Sequence, residues 1–128
     1  MSDEQILGFV FERTSHMNVY WNFFIVVATA IFATLASGRG FTNSRVSKAI
    51  LTAAFVMFVA SNLLPMLEVI IQRDALLAML GEGTALPAVL IRSLSRVSLW
   101  GVVAFHLCAD AVVVLGIWMV PWARLRTT

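Results

Sequence analysis

The sequence predicts an all-α integral membrane protein with three transmembrane helices, and two observations carry that prediction. Hydrophobic residues make up 60% of the chain and charged residues only 12%, against about 45–50% and roughly 25% in a typical soluble domain. The apolar residues are also contiguous. There are 25 positions between Arg13 and Arg39, 19 between Lys48 and Glu68 and 27 between Arg96 and Arg124, and Asp110 is the sole charge among them. A helix needs about 20 mostly apolar residues to cross a hydrocarbon core. At 128 residues the chain has the length of a single domain.

The elements follow in order. Ser2, with Gln5 three residues later, has the pattern of a capping box, and Ile6, Leu7, Val10 and Phe11 recur at helical spacing. Residues 3–14 therefore read as a short amphipathic helix lying at the membrane interface. The acidic start (Asp3, Glu4) argues against a cleaved signal peptide, which has a basic leading region. The first span is expected over 17–37, closed by Gly38-Arg39-Gly40. A polar loop then offers Asn43 or Ser44 as an N-cap.

The second span is expected over 47–70. Helical patterning continues past it through Val69-Ile70-Ile71 and Ala75-Leu76-Leu77-Ala78. The third helix starts near Pro87, a favoured first-turn residue, crosses the membrane over 97–120 and stops before Pro121. Each helix then has about 34 residues, on the order of 50 Å at 1.5 Å per residue. The expected result is an antiparallel hairpin whose extension, 71–96, projects beyond the membrane with Gly81-Glu82-Gly83-Thr84 at its tip. Glu68, Arg73, Asp74, Arg92 and Arg96 are expected to form ion pairs across it.

Aromatic residues set depth. Trp100 and Trp118 are 18 positions apart, roughly 27 Å of helix, which matches two interfacial belts. Asp110 then lies at mid-membrane. Antiparallel pairing puts Asn62 level with His106, and Asn22 falls in the same half. Asp110, His106, Asn62 and Asn22 form the candidate intramembrane polar site. His106 and Asp110, four apart, share one helical face. An acid at the centre of a span costs about 2.5–3.5 kcal/mol on insertion scales, so it is expected to face protein or water. Three uses fit Asp110: a structural carboxyl bonded to Asn62, Ser61 or a threonine, an ion or proton pathway, or an assembly contact. On the opposite face Gly101, Ala104, Cys108 and Ala111 make a stripe of small residues that lets helices approach closely.

The motifs of enzymes are missing: there is no HExxH, nucleophile elbow, phosphate loop or CxxC. A single cysteine excludes an internal disulfide, and no metal site is expected. No cofactor is expected either; haem ligation by His106 is the alternative, and with His16 far away in depth, a second histidine ligand would have to come from another chain. The pI of about 9.3 does not indicate nucleic acid, because the basic residues flank spans rather than form a stripe.

Five basic residues on the side of the first loop and C-terminus (Arg39, Arg45, Lys48, Arg124, Arg126) face four on the other (Arg13, Arg73, Arg92, Arg96). This places the N-terminus outside and the C-terminus in the cytoplasm, in a membrane taken as the bacterial inner membrane. The expected function is a non-enzymatic helix-bundle subunit in the lipid bilayer, assembled as a homo-oligomer or with other membrane-protein subunits. The alternative is a proton- or cation-conducting channel or transporter using Asp110 and His106. A lipid- or quinone-modifying enzyme built on Glu68, Arg92 and Arg96 ranks third.

Overall fold

The computed structural model describes residues 2–37, 44–80, 84, 86–94 and 98–124, the residues from 120 on by backbone alone. Among them every regular element is a helix: α1 (Asp3–Ala36), α2 (Arg45–Ala78), α3 (Ala88–Leu94) and α4 (Leu99–Arg124). Three helical stretches, led by α1, α2 and α4, are long and apolar enough to cross a membrane. Only 17% of the most apolar window of α1, and 28% of that of α2, is buried inside the protein. Their apolar residues mostly face outward, as a lipid-exposed bundle requires.

The first element corrects the expectation. In place of an interfacial helix over 3–14 and a separate span, one 34-residue helix runs from Asp3 to Ala36. The expected capping box is present: the Ser2 hydroxyl accepts from the Gln5 N–H at 3.3 Å, and the Ser2 N–H donates to Gln5 Oε1 at 3.0 Å. What the polar stretch Thr14-Ser15-His16 lacks is a breaker. It contains no Gly or Pro, and Thr14 donates its hydroxyl back to the Val10 carbonyl at 2.9 Å, so the helix passes straight through.

Helix α2 begins after Ser44, one of the two expected caps (Asn43 lies outside the described residues), and runs past Pro65 without ending. Its buried residues carry a pattern that polarity conceals. Lys48, Phe55, Asn62 and Val69 recur every seven residues, and Met66, Arg73 and Leu80 interleave with them at the same repeat. That is the spacing of a coiled-coil seam, and the main partner is α1, packed antiparallel. One cluster joins Phe24, Ile31 and Leu35 of α1 to Phe55 of α2 and to Val113 and Ile117 of α4. A second joins Ile6 and Val10 to Leu77 and Leu80, flanked by Leu86 and Leu94. The far end of α2 is thus covered chiefly by the first turns of α1. Thr84 fastens the same end by donating to Asp3 Oδ2 at 2.6 Å.

Over the stretch expected as one helix from Pro87 to Val120, two helices are described, with residues 95–97 outside the described residues. Pro87 opens α3, its carbonyl accepting from Leu90 N–H at 2.9 Å. Ser98 then starts α4, accepting from the Val102 N–H at its carbonyl and from the Gly101 N–H at its hydroxyl. Ser98 acts as a helix start inside a stretch read as continuous. At the other end α4 continues through Pro121 to Arg124 rather than stopping before it, although the proline removes one N–H from the last turns of the ladder. Gly81, Glu82 and Gly83 of the expected tip lie outside the described residues.

Candidate functional site

Helix α4 turns one face inward: His106, Asp110, Val113 and Ile117 are its buried residues. The spacing of four, three and four is a single helical stripe. Asp110 therefore faces the bundle core. His106 Nδ1 and Asp110 Oδ2 lie 3.1 Å apart, at hydrogen-bonding distance. The imidazole is fully buried in an aromatic box: Trp21 stacks on it at 5.2 Å between centroids, and Phe24 meets it edge-on at 4.7 Å. Trp21 in turn packs edge-to-face on Phe105, and Phe24 contacts Phe55.

Asn62 serves this site indirectly. Its Nδ2 donates to the carbonyl of Tyr20 at 3.2 Å, the residue before Trp21. That bond sets the register of α1 on α2, and so sets where Trp21 stacks. Asp110 does not bond to Asn62, nor to Ser61, whose hydroxyl donates to Met57 O within α2. Asn22 is exposed on α1 and stands apart from the dyad. Of the four expected polar residues the structure joins two, seats a third as a positioning residue and leaves the fourth outside.

One atom on each dyad residue, His106 Nε2 and Asp110 Oδ1, is buried without a protein hydrogen-bond partner. Such an atom costs about 1–3 kcal/mol, so the pair remains polar and under-satisfied. Chemically it can hold or exchange a proton. It does not fit haem, because the imidazole is 0% exposed and packed against Trp21 and Phe24, with no open space beside it for so large a group. Among the described residues no group of three His, Cys, Asp or Glu could hold a metal.

The expected hairpin residues on α2 make their described polar contacts within that helix. Glu68 accepts from Gln72 Nε2 at 3.1 Å, within α2. Arg73 is 4% exposed, with Nη1 3.7 Å from Asp74 Oδ1, again within α2. Arg92 is exposed on α3, and Arg96 lies outside the described residues. Gly101, Ala104, Cys108 and Ala111 are all exposed, on the side of α4 away from the dyad. Beside them an open apolar groove of about 400 Å³ runs between α1 and α4, lined by Ala28, Phe32, Phe105, Cys108 and Val112 among others.

Sequence reasoning missed Lys48, Trp21 and Gly116. Lys48 is buried, donates to the Trp118 carbonyl at 3.4 Å and sits 5.8 Å from its ring centroid, while Trp118 Nε1 donates to Thr52 at 3.2 Å. The seven-residue repeat from Lys48 to Asn62 was the available signal. At Gly116 an added Cβ would come within 2.5 Å of the Phe32 ring, so the missing side chain leaves room on α4 for that ring of α1.

Comparison with protein-family models, with curated proteins and with solved structures finds no match.

Proposed function

We propose that this chain is an integral membrane protein, a non-enzymatic helix-bundle subunit that assembles through α4 with a second copy of itself or within a larger membrane complex. One observation supports this above the others: α4 buries its polar face in its own bundle and leaves its small-residue face uncovered. In hydrocarbon no hydrophobic force draws helices together, so association depends on close packing, which small residues permit. A helix that faced only lipid on that side would have no use for Gly101, Ala104, Cys108 and Ala111 in register. The bundle lies with its N-terminus outside and its C-terminus in the cytoplasm, in a bacterial inner membrane. The distal part of α2, with the segment after it, stands out of the bilayer as a hairpin.

The single cysteine supplies the test, because Cys108 is on that face and exposed. Oxidative cross-linking in native membranes should give a disulfide-linked dimer or a cross-link to a partner. Ala104→Phe should abolish it. A clean monomer in detergent, with no cross-link and no co-purifying subunit, would remove the basis for the proposal.

A second reading, a proton or cation pathway through Asp110 and His106, is favoured by the unmet atoms of the dyad. Asp110→Asn should then abolish flux in proteoliposomes. Transport that persists in the variant, or is lacking in the parent, would refute this reading.

A further inference from the structure

Arg73 is the most deeply buried cation of the described residues, and it sits in the seam between Ile70 and Leu77, where α2 packs on the first turns of α1. Its Nε and Nη1 have no hydrogen-bond acceptor in the protein. Asp74, at 3.7 Å and half exposed, is beyond hydrogen-bonding distance. The neighbouring residue, Gln72, lines with Arg13 an open groove of about 410 Å³ between α1 and α2, floored by Phe9, Leu76 and Met79. Arg73 does not itself line that groove; it lies one residue along α2 from Gln72, in the adjoining seam, so both arginines are at the same end of the bundle, next to apolar surface.

The depth of this cluster identifies its ligand. Arg73 lies five residues beyond Glu68, the first charge after the apolar run of α2, or roughly 7–8 Å along the helix. The polar layer of a bilayer is about 5–8 Å thick on each side. Phosphodiester groups lie at that level, and they are the acceptors whose geometry a guanidinium matches. We propose that Arg73 turns its guanidinium from the seam toward this groove and, with Arg13 and Gln72, binds the phosphate of an anionic phospholipid, which supplies the acceptors the protein lacks. The carboxylates of Asp74 and Glu68 lie on the adjoining surface of α2. The site therefore selects a ligand that reaches the buried guanidinium, and bulk negative charge alone does not satisfy it.

This inference rests on the membrane reading above, and the two fail separately. Full-length protein released from membranes by alkaline carbonate would overturn both. For protein that stays inserted, native mass spectrometry with added phosphatidylglycerol, phosphatidylcholine, diacylglycerol or inorganic phosphate tests the site itself. Phosphatidylglycerol should be retained, and Arg73→Gln should weaken it by about fivefold, the effect of one interfacial basic residue. Arg73→Lys should bind at an intermediate level, and Arg13→Gln should weaken retention by a similar or smaller factor. If Arg73→Gln loses its helical circular dichroism, the Lys and Arg13 variants decide. Equal retention by parent and variants, or diacylglycerol held as well as phosphatidylglycerol, would overturn the proposal. Displacement by millimolar inorganic phosphate would overturn the lipid source and leave a free-phosphate site.

Discussion

Mid-bundle and at its outer end, the molecule buries polar side chains in two different ways. In the middle, His106 and Asp110 bond each other at 3.1 Å inside a box of Trp21 and Phe24. At the outer end, Arg73 is nearly as deeply buried, but its counter-ion is 3.7 Å away, half exposed and on the same helix. The first arrangement has a buried partner at hydrogen-bonding distance, with one further atom unmet on each residue, and the second has no such partner in the protein. Equal burial thus conceals opposite energetics. Removing half of a matched pair strands its partner, whereas removing an under-satisfied charge relieves a cost.

The largest effect expected from that contrast is at the dyad. Asp110→Ala should destabilise the bundle by about 3 kcal/mol, because it leaves His106 buried without its partner. Replacing His106 and Asp110 together by Leu should recover most of that loss. Reversible unfolding in mixed micelles measures both, and a single variant no worse than the double would show that the pair is not coupled. Next is Leu77→Ala, in the cluster with Ile6, Val10 and Leu80. It should cost about 2 kcal/mol and speed amide exchange over residues 3–14, which Asp110→Ala should leave slow. Unchanged exchange there would mean that the first turns of α1 do not depend on α2.

Arg73→Met provides the test of opposite sign. In detergent free of anionic lipid it should leave stability unchanged or raise it by up to about 1 kcal/mol, since it keeps the apolar stem and deletes unmet donors. A loss as large as that of Asp110→Ala would make the two regions alike. The smallest effect is at Gly116. Alanine there meets the Phe32 ring, but Phe32 is 39% exposed and free to swing aside, so the cost should stay below about 1 kcal/mol. Cross-linking at Cys108 in this variant would report any shift of α4 against α1.

Much of the fold was legible because its signals are local. The Ser2–Gln5 capping box, the Pro87 helix start and the i,i+4 contact of His106 with Asp110 all span less than two helical turns, and all are present; Ser44 holds the N-cap position without a side-chain cap bond. The boundaries that were misread depended on weaker cues. Polar residues at 14–16 resembled a junction but lacked a breaker, and Ser98 started a helix within a stretch that read as continuous. The partners of Asn62 and Arg73 were not legible at all. In an apolar helix the core-facing and outward-facing residues are alike, so polarity barely marks which face turns in.

Composition and contiguous apolar runs determined that this chain is helical, with three stretches long enough to cross a membrane, because length and transfer energy are properties of each segment alone. The antiparallel match of α1 to α2, the bond from Asn62 to the Tyr20 carbonyl and the inward turn of Asp110 were decided only by the tertiary structure. Each depends on the rotation and register of one helix against another. Those are fixed by interdigitating side chains such as Phe24, Phe55 and Ile117, whose shapes fit only once the helices have met.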